Sequence, residues 1–582
     1  MGKKFGKSLA LYLFVIIYSS CYFIDKGYKN TICLNDTIYI TNQKKQATFY
    51  PSEFNEQSRL FYICKVWGFV KYYHENSNKQ QPNVDAILLD AMAKNKIIEN
   101  KGEFQNLLIS IISSIQLSPI DEISQSQYPD IKDYMLIDNA WMNDTLFLSP
   151  RISEKLHQLF LTHSGNKNPF VSVSNIGLLK LSNEKKYEQS FPDDDVRLLG
   201  LFRYWNLINY FFVYKNFMTE NWDQILYESI PRFQNVHTTE QYHWEIARLT
   251  NALNDAHANM PTLMDTMIVS DFYPPFMMIK IDSLFLVDRI LMPIESMKKL
   301  KQGDIVLEID DKEVVQLYDS LRKFIGAGSY WMHQKLVGLL MQSNHKSMMK
   351  FKLLRNGKDT LTLNIKNVHY SEVVAYRKKI EKTGVYYKYF DNKTTYLDLN
   401  YLDKSNFNKN YMPIKNARTI ILDLRCYPDN SLFDKIIDTF VPKIRYFSRI
   451  TYPDARYPGM IRKHLPNMDI GNDQGFKGNI ILLVNERTGS FSEYLTMALQ
   501  MNPKTITVGR STAGSDGNII RWNFPGNISI NFSGIGIYYP NMTPTQNIGI
   551  KIDYLIEPTV ESVVNGTDLI LEKAKELAKC GL

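Results

Sequence analysis

The chain has 582 residues, of which 44% are hydrophobic, 22% charged and 13% aromatic. Fractions this close to the globular average exclude disorder, collagen and simple repeats over most of the length, and the length allows about three to four domains. Five cysteines exclude a disulfide-stapled scaffold, and a net charge of +8 without any basic block argues against a nucleic-acid partner.

Lys3, Lys4 and Lys7 precede an apolar run from Leu9 to Tyr18, and Ser19, Ser20 and Cys21 follow. A basic head, a short apolar body and small residues make residues 1–20 a secretory signal peptide. The run is too short for a bilayer span, which takes about 20 residues. The small residues before Cys21 resemble a bacterial lipoprotein cleavage site, at which Cys21 would be acylated, although Tyr18 stands where that motif prefers Leu. Acylation and simple cleavage are both open. Either way the protein is exported, periplasmic or anchored in a bacterial cell envelope as a lipoprotein, with membrane contact only through that lipid. Residues 21–55, rich in Asn, Thr and Lys, read as a tether. Cys33, Cys64, Cys426 and Cys580 fit no zinc spacing and no H-x-x-x-H pair occurs, so neither a metal nor a cofactor is expected.

An internal repeat follows at an offset of 138 residues. Arg59-Leu60, Trp67, Val70, Tyr72-Tyr73, Asp85 and Leu88 recur as Arg197-Leu198, Trp205, Ile208, Tyr210-Phe211, Asp223 and Leu226. Each copy has aromatic and aliphatic residues at helical spacing, which predicts two helix pairs with buried faces. The stripe Phe202, Tyr204, Trp205, Tyr210, Phe211, Phe212 lacks polar groups to orient a ligand and reads as core rather than a cofactor box. The second copy runs through Tyr242, Ile246 and Leu249 to Asn254-Asp255-Ala256-His257-Ala258-Asn259.

From 265 to 370 short strands with turn signals are predicted: Phe285–Val287, Asp304–Ile309 with a turn at Asp310-Asp311, a helix near Val315–Phe324, and a hairpin at Lys350–Leu354 with Asn356-Gly357. Beyond 385, Tyr396–Leu399, Thr419–Leu424 and Asn479–Val484 alternate with helical segments. The last two are near-continuous apolar runs, as strands buried on both faces require. That order is α/β.

The link from the third of these strands into a helix over Ser492–Met501 reads Asn485-Glu486-Arg487-Thr488-Gly489-Ser490-Phe491-Ser492-Glu493. A serine on such a turn exposes its hydroxyl at the carboxyl edge of the sheet, beside a helix N-terminus whose free N–H groups stabilise an oxyanion. The same residues also serve as an ordinary helix cap, with Ser490 or Ser492 at the N-cap and Glu493 in the first turn. A nucleophilic serine needs a base. His257, between Ala256 and Ala258, has small neighbours that suit close approach by another segment.

Over residues 190–575 the chain resembles the C-terminal processing (tail-specific) serine proteases, in the branch related to the tricorn protease core and the retinoid-binding-protein repeats. The markers are Arg203-Tyr204-Trp205-Asn206 with Trp222-Asp223, Asp255-Ala256-His257-Ala258, Gln302-Gly303-Asp304-Ile305-Val306 ahead of Asp310-Asp311, Ile421-Leu422-Asp423-Leu424-Arg425, Ser490-Phe491-Ser492-Glu493, Thr512-Ala513-Gly514, and Gly549-Ile550-Lys551-Ile552-Asp553.

The resemblance implies an α/β multidomain fold with a mixed-sheet protease core of ClpP/crotonase-like type. Its parts would be an N-terminal helical repeat domain (56–189), a helical part of the protease domain (190–264), a PDZ-like β-rich insert (265–370) and the α/β serine protease core (371–582). It implies Ser490 as nucleophile and His257 as base. Ser515 stands where many relatives carry a lysine, and Ala256 and Gln546 stand where the tricorn-like branch has Ser and Glu to orient the imidazole. The arrangement expected is therefore Ser490–His257–Gln546, because a glutamine still accepts from the imidazole although it cannot neutralise it. The oxyanion would rest on backbone N–H groups of Phe491 and of Asp429 or Asn430, since Pro428 has none. The partner implied is a peptide or protein substrate, its C-terminal carboxylate captured by the PDZ-like insert through strand addition. The rival implied by the missing lysine, Ala256 and Gln546 is a catalytically silent peptide-binding scaffold; a third is a ligand carrier like the retinoid-binding relatives, which no polar constellation supports.

Overall fold

The computed structural model describes residues 48–73, 83–115, 134–135, 139–163, 165, 168–174, 177–260, 272–326, 328–342, 346–381, 387–391, 393–407, 414, 416–466 and 468–580. The signal segment, Cys21 and the tether up to residue 47 lie outside the described residues. The helical part comprises α1 (Glu56–Tyr73), α2 (Val84–Asn95), α3 (Lys101–Ile115), α4 (Pro150–Thr162), α5 (Asp194–Phe211), α6 (Trp222–Gln234) and α7 (Thr239–Asn251). Asn83, Asp193, Asn221 and Thr238 cap α2, α5, α6 and α7 by accepting first-turn N–H groups.

The repeat is a structural one, and its two copies clasp each other. Trp67 Nε1 donates to Val84 O and Trp205 Nε1 to Trp222 O, both at 2.8 Å, so each long helix is tied to the next in the same way. Lys65 pairs with Asp223 at 2.7 Å, and Arg203 pairs with Asp85. Lys65 and Arg203 are repeat equivalents, as are Asp85 and Asp223, so the cation of each copy meets the acid of the other. Such reciprocity is the signature of a two-fold interface, here within one chain. Gly68 and its equivalent Asn206 meet where α1 and α5 cross. A Cβ on Gly68 would lie 1.9 Å from Asn206 Oδ1, so only glycine fits.

The boundary expected at 189/190 therefore runs through one core rather than between two. Trp67 and Leu108 of the first copy, Trp205 and Tyr242 of the second, and Trp522 and Phe532 from far down the chain are buried together. The aromatic stripe on α5 is part of it. Lys71, fully buried, donates to Glu184 at 2.6 Å, and Trp522 Nε1 donates to the other oxygen at 3.0 Å. Burial opposes the charge of Glu184, but Lys71 and Arg203 bring its carboxyl down to about 2.

A β-rich module follows. Its strands β1 (Phe276–Ile281), β2 (Leu284–Ile290), β3 (Ile305–Ile309), β4 (Met348–Arg355) and β5 (Asp359–Lys366) form an antiparallel sheet in the order β5-β4-β3-β2-β1. Helices α8 (Val314–Leu321) and α9 (Tyr330–Met341) lie between β3 and β4. Asn356 and Gly357, in the three-residue turn between Arg355 and Asp359 that joins β4 to β5, take φ of 52° and 69°, left-handed conformations that Asn and Gly tolerate best.

After α10 (Tyr370–Glu381), β6 (Tyr387–Tyr389), β7 (Thr394–Asp398), β8 (Thr419–Asp423), α11 (Phe433–Phe440), β9 (Asn479–Val484), α12 (Phe491–Leu499), β10 (Thr505–Gly509), the hairpin β11 (Ile519–Phe524) and β12 (Ile528–Ser533), β13 (Tyr554–Leu555) and α13 (Leu569–Cys580) complete the chain. The main sheet has the order β6-β7-β8-β9-β10-β13, parallel except for β6. Ile420, Leu422, Ile480 and Leu482 face one side with α11 and α12, while Ile421, Ile481 and Leu483 face α13. Both faces are covered, which is why β8 and β9 read as unbroken apolar runs. The protein is a mixed α/β multidomain chain, and the ends of β8, β9 and β10 place the segments described next.

Candidate active site

The turn after β9 is pinned to the end of β8. Thr488 Oγ1 and Ser492 Oγ both donate to Leu424 O, at 2.8 and 3.1 Å. Between them Ser490 takes φ 51° and ψ −119° at the N-cap position of α12. An ordinary cap lies in the extended region, so capping alone gives no reason for this conformation. A non-glycine residue held there is strained, and strain of this kind on a strand-to-helix turn thrusts a side chain outward. Gly489 allows the approach of the neighbouring turn: a Cβ there would lie 2.9 Å from Ala513 Cβ.

Glu493 fixes this geometry from within. Fully buried, it accepts from Ser490 N (3.1 Å), Thr512 Oγ1 (2.5 Å), Gly514 N (2.8 Å) and Ser515 N (2.9 Å). Burial nevertheless pushes its carboxyl up to about 7, against four hydrogen bonds that favour the charge. Ser515 therefore stands in the turn facing Ser490, with a hydroxyl at the position where many relatives carry a lysine ammonium.

His257 follows α7, and its setting differs from the one expected. Its Nδ1 meets Ser533 Oγ at 3.0 Å, at the end of β12, and Ser533 Oγ meets Asp255 Oδ1 at 2.7 Å. Asp255 is completely buried and also accepts from Ser533 N (2.7 Å), Gln546 Nε2 (2.7 Å) and His257 N (3.1 Å). A carboxylate only accepts, so the single Ser533 proton goes to Asp255, and Nδ1–H must donate to Ser533 Oγ. That leaves the lone pair on Nε2, the form a general base needs. Burial lowers the His257 pKa from its ordinary value of 6.5, and the Asp255 charge opposes the shift without cancelling it. The imidazole is neutral at pH 7.

Gln546 does not meet the imidazole. Its Nε2 donates to Asp255, and its buried Oε1 finds no donor among the described residues. The physical reason is that Ser533 occupies Nδ1 and Asp255 is the stronger acceptor. The signal for Asp255 lay two residues before His257. Ser533, 276 positions away, had none.

The histidine and serine segments are joined through Asn547. Its side chain donates to Asn254 O at 2.6 Å and its N–H to Gly514 O at 2.9 Å. Ser490 Oγ makes no hydrogen bond to His257 among the described residues, so proton transfer between them requires the two side chains to close on each other. The β-rich module touches both segments: Ser329 N donates to Ala513 O at 3.0 Å, and a Cβ on Gly326 would lie 2.5 Å from Ala258 O. The Phe491 N–H, first in α12, has no acceptor among the described residues, and neither have those of Asp429 and Asn430. The Tyr427 and Phe491 rings lie 6.2 Å apart, so the loop holding Asp429 and Asn430 runs beside the serine turn. Cys426, at its start, is no rival nucleophile, because burial and then Asp398 raise its thiol pKa.

None of the curated proteins matches the chain. Among solved structures, mature CPAF complexed with lactacystin is 14% identical, with a TM-score of 0.53 over 66% of this chain and 98% of CPAF, which shows a shared fold. The photosystem II D1 C-terminal processing protease (14% identical, TM-score 0.38, 63% of this chain and 96% of that one) and the tricorn protease (13%, 0.34, 66% and 36%) also align. Residues 393–556 match the model of peptidase family S41. That stretch carries the strained Ser490, its Glu493 anchor and Ser533: the chain contains a peptidase family S41 domain, that of a serine peptidase.

Proposed function

We propose that the protein is an exported serine endopeptidase that recognises its peptide substrates by their C-terminal tails, with Ser490 as nucleophile and His257 as base. The observation that carries this reading is Ser490 held at φ 51° in front of an α12 N-terminus whose Phe491 N–H has no acceptor among the described residues. His257 Nε2 takes the Ser490 proton as Oγ attacks a peptide carbonyl. The oxyanion is held by Phe491 N–H together with Asp429 or Asn430 N–H. The imidazolium that forms is stabilised by Asp255 through Ser533 Oγ, so a carboxylate stands behind the base even though Gln546 is not one. His257 then returns the proton to the leaving amine, and water repeats the sequence on the acyl-enzyme.

The β-rich module is read as the PDZ-like insert that receives the tail, supported by its antiparallel sheet and its contact with both catalytic segments. Export rests on the signal-like residues 1–20, and a lipid anchor on Cys21. Incubating unstructured peptides with the protein tests the reading: cleavage is expected, and Ser490→Ala abolishes it. Peptide binding without cleavage by the parent protein would instead favour the silent scaffold. Cell fractionation with and without residues 1–20 tests export.

A further inference from the structure

Between the β-rich module and the carboxyl edge of the main sheet lies a polar cleft of about 620 Å³. Its charges are not all neutralised. Arg425 is paired with Asp423 and Asp568, and Arg510 is paired with Glu486 through two hydrogen bonds of 2.8 and 3.0 Å. Arg289, on β2 of the module, and Arg487, on the serine turn, also line the cleft, and neither guanidinium has a hydrogen-bond or ion-pair partner among the described residues. They are close enough to oppose each other: desolvation first, then Arg487, lowers the Arg289 pKa. Asp288 and Asp398 line the same cleft, and burial works against the charge of both. It raises the Asp288 carboxyl and, together with Asp423, raises Asp398 to about 6, although a carboxyl at about 6 stays mostly ionised at pH 7.

Two guanidiniums without a partner among the described residues, both lining one polar cleft, are matched by an oxyanion that accepts from both forks. The position of Arg487 says where that oxyanion sits relative to the chemistry. It precedes Ser490 by three residues, so their Cα atoms are no more than about 11 Å apart even in a fully extended chain. Adding the reach of an arginine side chain, a group held on Arg487 falls within about five residues of a peptide bond at Ser490.

We propose that this cleft binds a carboxylate side chain of the peptide substrate between Arg289 and Arg487, so that the enzyme selects peptides with an Asp or Glu within about five residues of the cleaved bond. The proposal rests on Ser490 being the nucleophile. It makes the β-rich module a contributor to side-chain selection as well as to tail binding, because Arg289 belongs to the module and Arg487 to the core.

The test uses the full chain carrying Ser490→Ala and fluorescent decapeptides, acetylated and amidated so that no terminal carboxylate competes. One Glu is scanned along the peptide, with Gln as the isosteric control. At one or more positions the Glu peptide should bind at least tenfold tighter than its Gln twin at low salt, with the ratio shrinking as salt rises. Arg289→Gln or Arg487→Gln should bring the ratio to within twofold, and Arg487→Lys should leave it intermediate. A ratio within twofold at every position, no measurable binding of any Glu peptide, or a preference that survives the double Arg289→Gln/Arg487→Gln change overturns the proposal. Hydrolysis of the Gln peptide by the parent protein is scored separately. Cleavage without Glu preference sinks the cleft alone, whereas Glu-selective binding without cleavage sinks the catalytic reading alone.

Discussion

Asp255→Asn is the substitution that most sharply probes the histidine setting. The carboxylate lies no more than about 5.7 Å from His257 Nδ1, the two hydrogen bonds of 3.0 and 2.7 Å laid end to end. At an effective dielectric of about 20, an imidazolium and a carboxylate at that separation attract by about 3 kcal/mol. This attraction exists only once the imidazole has gained the Ser490 proton, so its loss falls on the barrier and amounts to about 100-fold in kcat. KM should change little. Asparagine must also turn its NH2 toward either Ser533 N–H or the donors on Oδ1, which costs about 1–3 kcal/mol of stability. The assay is steady-state peptide cleavage across pH with a parallel urea melt. Asp255 opposes the lowering of the His257 pKa, so in the variant the acid limb of kcat/KM should move to still lower pH. A kcat within threefold of the parent with an unmoved acid limb would refute the relay, whatever happened to stability.

Three further outcomes follow from the same contacts. Gln546→Ala should lower turnover less than tenfold, because the side chain touches Asp255 rather than the imidazole; a loss as large as that of Asp255→Asn, in the same cleavage assay, would restore the direct role. Glu493→Gln turns one pair of buried donors toward an NH2, and should cost about 2–6 kcal/mol in urea unfolding. The carboxyl stands at about 7 in the fold against an ordinary 4.5, so its contribution is fully present below pH 4.5 and lost as pH rises through 7; the Gln variant's stability profile should lack that fall. Lys71→Met leaves Glu184 buried without its main cation and should cost about 3–5 kcal/mol, measured by urea unfolding, with Glu184→Leu added to Lys71→Met recovering part of it.

Local features were legible in the sequence where local physics decides them. The apolar runs of β8 and β9, the Asn356-Gly357 hairpin and the strand-to-helix turn at Ser490 each follow from a handful of adjacent residues. The repeat was legible too, but not its meaning. Matching aromatic positions predict two similar helix pairs, and only the crossed pairs Lys65–Asp223 and Arg203–Asp85 reveal that the copies face each other across one core. The imidazole's partner was out of reach for the same reason. Ser533 ends a strand that reads as any amphipathic strand, and what gives it a role is the placement of β12 beside the end of α7. Gln546 stands at the motif position of an imidazole partner, yet a motif position does not say which acceptor a side chain prefers. A completely buried Asp255 competes for its amide and wins.

The most direct test of the central claim is covalent. A fluorophosphonate reacts only with a serine that a base has activated, and the adduct can be located by peptide mass mapping. The account predicts a single adduct on Ser490, absent from Ser490→Ala and formed at least a hundredfold more slowly in His257→Ala. No adduct on the folded protein, or an adduct on a different serine, would contradict it.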